Sequence, residues 1–293
     1  MIRSVGTALV LLVSALDAGA QSPSQAISTY DTGVGHGNPP VPTAQSELPN
    51  SLPAVVVTWD YYALPKTLIV HALNNSGKDI IGYTLTIRNR LPDGTLNKSG
   101  WSETSSDMLA ALVTIRLAND PAIEEREPKS DHGIFFAGTT RDMPINGINS
   151  ASELDIVADV VFYADGSFDK QNEDAFKRML AIRQGTLLGK KKVNEAIKNA
   201  LANLTTDHPT ATAVTELSKY LVEGMNQQYD DPFGHIQHMH LQNEIKSEIQ
   251  NLSHLQRPAQ ATNERERLTR YVEEQEKRVE LMTPHCHPEI ALT

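Results

Sequence analysis

Two short stretches concentrate the side chains best able to hold a metal ion: FGHIQHMHLQ at 233–242 and PHCHP at 284–288. If a helix begins at Pro232, His235 and His238 stand three residues apart and share a face, while His240 points nearly the opposite way. One ion could then take at most two ligands from this helix. If the last two helices fold back on each other, the start of the first lies beside the end of the second. That brings His285, Cys286 and His287 toward His235 and His238. Imidazole and thiolate together suit zinc or copper. The positive end of the helix dipole disfavours imidazolium and leaves ring nitrogens free for a metal. Against this candidate set, histidines are common at helix ends, no C-x2-C or H-E-x-x-H spacing is present, and 285–287 lies close to the end of the chain. The expectation is therefore no cofactor, with zinc or copper as the alternative.

Other chemistry-bearing stretches are weaker. GTLLGKKK (185–192) resembles a phosphate loop only superficially, because its glycines are one residue too close and no Ser or Thr follows the lysine. Lys190 to Lys192 are expected to form a solvated face. ADGSFDKQNED (164–174) lacks the acid order and terminal Glu of a calcium loop, so a capped strand-to-helix turn is expected. No G-x-S-x-G or comparable nucleophile setting occurs. The residues thus favour a non-enzymatic protein over an enzyme. Four N-x-S/T triplets begin at Asn74, Asn97, Asn203 and Asn251.

The elements that must position these groups fall into two parts. AVVVTWDYY (54–62) and TLIVHAL (67–73) are β-branched and aromatic runs that predict strands. NNSGKD (74–79) predicts a turn. IIGYTLTIRNR (80–90) alternates, with Ile81, Tyr83, Leu85 and Ile87 on one side and Gly82, Thr84, Thr86 and Arg88 on the other, which predicts one buried face and one wet face. DMLAALVTIRLA (107–118) is open between helix and strand. GIFFAGTT (133–140) and LDIVADVVFYADG (154–166) predict further strands. Beyond 168 the period becomes helical. Phe176, Met179, Leu180 and Arg183 begin one stripe, Val193, Ile197, Leu201 and Leu204 a second, and Leu217, Tyr220, Leu221 and Met225 a third. Asp231-Pro232 reads as a cap and first turn. Leu241, Ile245, Ile249, Leu252 and Leu255 line the helix that follows. Asn263 with Glu266 resembles a capping box. Leu268, Val272, Gln275, Val279 and Met282 form a narrow, coiled-coil-like seam. The expected fold class is α+β: an antiparallel β-sandwich over 54–167, then a helical region over 168–283 ending in a helical hairpin, with a tail at 284–293.

The N-terminus carries Arg3, an apolar run from Val5 to Leu16 and the small-x-small triplet Ala18-Gly19-Ala20. This is the pattern of a secretory signal peptide over 1–20, so export to the periplasm or outside the cell is expected. Residues 21–53, rich in Ser, Thr, Pro, Gly and Gln, predict a flexible spacer. No later run reaches the ~18 apolar residues of a membrane span. Net charge is −10, with 10 Lys+Arg against 18 Asp+Glu over 1–167 and 16 against 18 over 168–293. So acidic a surface repels phosphate backbones and argues against nucleic acid as a partner. The lone Cys286 excludes an internal disulfide, so stability must come from the core.

VHALNNSGKDIIGYTLTI followed by DVVFYADGS resembles uncharacterised exported bacterial proteins that carry an immunoglobulin-like sandwich. In them an Asn-x-Ser-Gly-Lys turn joins two core strands, and an apolar strand ends in Asp-Gly. The resemblance spans roughly 54–167 and implies a fold, not an activity. It makes the expected sandwich immunoglobulin-like. The sequence thus leads to two functional expectations. One is an exported binding or assembly protein that self-associates or meets a protein partner through its C-terminal helices. The alternative is a zinc- or copper-binding protein centred on the two His clusters.

Overall fold

The computed structural model describes residues 44–45, 52, 54–62, 66–90, 96–118, 134–146, 154–203, 207–224, 229–255 and 263–287. The expected signal peptide, nearly all of the expected spacer and the chain beyond His287 lie outside these residues. The order is β1 (Ala44–Gln45), β2 (Val55–Tyr62), β3 (Thr67–Asn74), β4 (Ile80–Arg90), β5 (Leu96–Asp107), α1 (Leu109–Ala118), β6 (Thr140–Asn146), β7 (Leu154–Tyr163) and β8 (Phe168–Lys170). Four long helices follow: α2 (Glu173–Ala202), α3 (Pro209–Gly224), α4 (Pro232–Leu255) and α5 (Glu264–Cys286). The class is α+β, with antiparallel sheets and five helices.

The strands form two four-stranded sheets, ordered β1-β2-β3-β6 and β5-β4-β7-β8, and every pairing is antiparallel. Alternation decides what each strand buries. Val55 and Val57 from β2 and Leu68, Val70 and Ala72 from β3 point inward, and they share one core with Tyr83, Leu85 and Ile87 of β4 and Ile156 and Ala158 of β7. Each such aliphatic side chain stabilises the fold by roughly 1.5–3 kcal/mol of transfer free energy. The β3–β4 turn is held by Asn74, whose Nδ2 donates to Lys78 O and Phe135 O and whose Oδ1 accepts from Ser76. Gly77 takes the positive φ of 71° that the turn requires.

Two sequence expectations changed, and one left open was resolved. The second face of β4 is not wet: Thr84 and Thr86 are buried, because α2 lies across it. Register shifts reset the alternation: in β4 the shift between Ile80 and Gly82 turns Ile81, expected beside Tyr83, Leu85 and Ile87, into the other core. In β7 the shift leaves Asp159 as an extra residue, so Ile156, Ala158 and Val161 face one core while Val160 and Phe162 face another. Residues 107–118 divide, with Asp107 ending β5 and a helix following over 109–118, its Oδ1 accepting from Leu109 N at 3.1 Å. In 133–140 only Phe135 bridges to a neighbouring strand, opposite Ile80. The strand itself is TRDMPIN at 140–146, an edge position where Pro144 withholds no needed donor.

The second core joins sheet to helices. Ile81, Val160 and Phe162 pack with Leu109, Leu112 and Val113 of α1, with Phe176 and Met179 of α2, and with Met282 and Cys286 of α5. The Phe162 and Phe176 rings stack with centroids 5.5 Å apart. A third core is wholly helical, built from Val193, Ala196 and Ile197 of α2, Leu217 of α3, Ile245 and Leu252 of α4, and Leu268 and Val272 of α5. Helix α2, capped by Asn172 Oδ1 accepting from Asp174 N and Ala175 N, runs through the last two cores. Asp231 caps α4 and Asn263 caps α5, as their sequences imply. α5 continues through Pro284 to Cys286, with Leu268, Val272, Gln275 and Met282 of its seam buried. Among the described residues no helix is long and apolar enough to cross a membrane.

Candidate functional site

The GTLLG of 185–189 is a close helix crossing. A Cβ on Gly185 would meet Gln237 O at 2.1 Å, and one on Gly189 would meet Glu244 Cβ at 2.7 Å and Leu241 O at 3.0 Å. Two glycines four apart lie on one face of α2, and their missing side chains let α4 approach to backbone contact. The signal that identifies the motif is the small-x-x-x-small spacing, not the lysines after it.

That crossing sets the distance between the two His clusters. Gln184, next to Gly185, donates from Nε2 to Cys286 O at 3.2 Å, and its Oε1 accepts from Gln237 Nε2 at 3.4 Å. The start of α4 and the end of α5 therefore both reach one side chain of α2. The metal-binding atoms do not converge with them. His235 is exposed and lies edge-on to Tyr229, whose ring centroid stands 4.9 Å from that of His238. His238 Nε2 lies 3.2 Å from Gly224 O and 2.8 Å from Gln242 Nε2. The carbonyl makes Nε2 a donor, so the Gln242 amide must present its oxygen there. His240 packs beside Gly185, where burial lowers its pKa. His287 is the C-cap of α5. Among the described residues no group of three or more His, Cys, Asp or Glu is arranged to hold a metal ion.

His285 and Cys286 form the last turn of α5, inside the sheet–helix core. Burial first, then the positive charges of Arg183 and Arg116, hold the imidazole down to about 4, so it is neutral at physiological pH. Its Nε2 is 3.5 Å from Arg116 Nη1, and its Nδ1 is buried without a partner among the described residues. Burial pushes the Cys286 thiol up to about 12, and the thiol donates to Arg183 O at 3.5 Å.

Arg183 organises this corner. Its side chain is 1% exposed. Nε and Nη2 donate to the two Asp107 carboxylate oxygens at 2.9 Å each, the fork-to-fork pairing a guanidinium is shaped for. Nη2 also donates to Ile81 O at 3.2 Å and Nη1 to His285 O at 3.4 Å, while the Phe162 ring lies 4.1 Å below. Gly82 leaves the space, since a Cβ there would meet Nη2 at 2.6 Å. One residue thus ties β4, β5 and α5 to α2. The sequence places Arg183 on an apolar stripe, and a charge on such a stripe is the signal of a buried pair.

Two turns on, Lys190 is also internal, contrary to its expected solvated face. Nζ donates to Glu244 at 2.6 Å, Glu248 at 3.1 Å and Gln275 at 3.5 Å. Tyr271 OH and Asn251 Nδ2 donate to the second Glu248 oxygen. The polar Gln275 in the α5 seam is thereby accounted for. A third ionic cluster sits on the first sheet. His71 Nδ1 is 2.7 Å from Asp142 Oδ1 and Nε2 is 3.3 Å from Asp60 Oδ2. With a carboxylate at each nitrogen, both must donate, so the ring is an imidazolium. Partial burial alone would lower its pKa, but the hydrogen bonds and charges of Asp142 and Asp60 outweigh that and raise it.

Finally, a groove of about 460 Å³ runs between α2 and α5, lined by Lys191, Asn194, Glu195 and Lys198 on one side and Glu276, Val279 and Glu280 on the other. Compared with known proteins, this α+β chain matches no family model, and no curated protein or solved structure is significantly similar to it.

Proposed function

We propose that the chain is an exported, non-enzymatic binding or assembly protein: an immunoglobulin-like sandwich backed by a helical layer in which α4 and α5 form a hairpin. The observation that carries this reading is the state of its most reactive side chains. His285 and Cys286 are built into the core, the imidazole neutral and the thiol far above the range of a nucleophile. The corner where they lie is closed by Arg183 and Asp107 as a brace between sheet and helices. A rigid brace of this kind suits a scaffold that presents surface. Because Leu268, Val272 and Met282 are packed on the chain's own helices, any self-association or protein contact uses the outward helix faces.

The test is the reactivity of Cys286. Treated with a chromogenic disulfide reagent at neutral pH, the native protein is expected to react only at its unfolding rate and completely in denaturant. Rapid native modification would mean an accessible, activated thiol and would sink the scaffold reading. A second reading, a zinc or copper site, is favoured by the meeting of α4 and α5 at Gln184. Elemental analysis of untagged protein decides it. Stoichiometric metal, with a raised Tm on adding either ion, supports the reading, and neither metal nor a Tm response ends it.

A further inference from the structure

We propose that His71 is a proton-operated latch on the edge strand β6: the protonated ring pins β6 to β3, and the neutral ring lets that strand come away. The observation is a cluster drawn from three strands. On the outer face of the first sheet, Thr58, His71 and Asp142 stand in one cross-strand row. His71 Nδ1 lies 2.7 Å from Asp142 Oδ1 on β6, and Nε2 lies 3.3 Å from Asp60 Oδ2 on β2. Each ring nitrogen thus spans a different seam of the sheet. Among the described residues, Asp60 and Asp142 are the titratable groups that face the ring. Arg141 sits over Phe135 on the other face of β6. Tyr62, next beyond Asp60 on its face of β2, has its phenol held above the ordinary value by burial and then by Asp60. Ile69 and Leu73, which flank His71 on β3, are apolar.

β6 is the element that such a bridge can release. It pairs with β3 alone. Thr140, Asp142 and Pro144 are exposed, and Arg141, Met143 and Ile145 are only half-buried. β3, by contrast, buries Leu68, Val70 and Ala72 completely. Segments with few buried apolar contacts are the first to open. An imidazolium donates to both carboxylates at once. A neutral ring carries one N–H, so one carboxylate faces a lone pair, and the hydrogen bond that remains loses half of its charge assistance. When β6 leaves, Asp142 goes with it, while Asp60 stays beside the ring. Closure therefore strengthens the hold on the proton, and by linkage the proton favours closure. The latch is shut below the titration of His71, whose pKa its two carboxylates raise against burial, and loosens as pH rises through it. Opening bares the side of β3 that carries seven cross-strand pairs, a free edge of the kind another strand can join.

The experiment is hydrogen exchange of the whole chain at about pH 5.5 and about pH 8.5, either side of the histidine range, with each rate corrected for the exchange of an unprotected amide. The opening constant of the β6 amides should rise about tenfold between the two, the equivalent of one pKa unit between closed and open strand. The amides of β4, which report the core, should not follow. Asp142→Asn keeps the shape and removes the charge, and His71→Gln removes the titration. Either should cut the rise at β6 to less than about twofold. Both residues are partly exposed, so folding is not in question. Three results overturn the proposal: no rise at β6, a rise that survives both substitutions, or β6 amides that open no more readily than those of β4. None of them would touch the scaffold reading, which stands or falls on Cys286.

Discussion

Arg183 and Lys190 lie two turns apart on α2, and the chain buries these two cations by different means. Arg183 faces the sheet. It meets one carboxylate with a flat two-point contact, spends its remaining donors on backbone carbonyls of β4 and α5, and rests on an aromatic face. Lys190 faces other helices and holds two carboxylates at once, Glu244 and Glu248, with Gln275 as a third acceptor. The difference follows from the side chains. A guanidinium fixes direction and can lock unlike elements, while an ammonium is a point charge that neutralises whatever surrounds it. The sheet–helix junction therefore depends on geometry, and the helical interior depends on charge balance.

The largest expected effect breaks the first of these. Arg183→Met should cost about 3–5 kcal/mol, because Asp107 loses its partner and two carbonyls lose a donor. Arg183→Lys should recover only a minor part, since a point charge cannot reproduce the fork. Equilibrium urea unfolding of both variants measures the two numbers. If Lys restores stability fully, geometry is not what the junction uses.

Lys190→Met should cost about 3 kcal/mol at neutral pH by leaving two carboxylates close together in a buried setting. Here the sign of the pH effect separates the mechanisms. Burial raises Glu248, but Lys190 and then Tyr271 and Asn251 outweigh it and hold the group below its ordinary value. In the parent chain its contribution is therefore present above the unfolded carboxylate pKa and is lost as pH falls through the folded one. In Lys190→Met the unpaired carboxylates instead prefer the proton, so the deficit against the parent should shrink as pH falls. A deficit that is constant from neutral to mildly acidic pH would show that packing, not charge, makes the difference. Changing Lys190, Glu244 and Glu248 together to apolar residues should be far milder than the single change.

The glycine crossing is next. Gly185→Ala should cost about 1–3 kcal/mol, since the new methyl meets a backbone carbonyl that cannot step aside. Gly77→Ala has open space around it and should cost only its positive-φ strain. Thermal denaturation of the two variants compares crowding with conformation, and equal losses would contradict the close packing of α2 and α4.

These predictions rest on features of unequal legibility. The strands β2, β3, β4 and β7 could be read because their inward residues alternate. The caps Asp231 and Asn263 could be read because capping is local chemistry. The polar strand β5 and the Pro-containing β6 could not, since edge strands carry no apolar face to announce them. The covering of Thr84 and Thr86 was also hidden. A polar residue buried under a helix looks the same in sequence as one facing water, and only the helix arriving from ninety residues away decides. The helices α4 and α5 were legible from their apolar stripes, but that both would reach Gln184 of α2 was not. The directions of His235, His238 and His285 were not, because they depend on α2 lying between the two helices.

The smallest expected effect concerns the first sheet. His71 has its pKa raised by Asp142 and Asp60 against partial burial, so its bridging contribution is complete below the unfolded histidine value and is lost as pH rises through the folded one. An NMR titration of the ring should give a folded pKa above about 6.5, and Asp142→Asn should lower it. A value at or below that of an exposed histidine would remove the imidazolium bridge.

The central claim is that α2, through Arg183, makes the sheets and the helical layer one cooperative body. Native-state hydrogen exchange tests it most directly. The slowest amides of β4 and β7 and the slowest amides of α2, α4 and α5 should report the same opening free energy in the parent chain, and Arg183→Met should split them into two values. Two distinct values already present in the parent, unmoved by the substitution, would contradict the account.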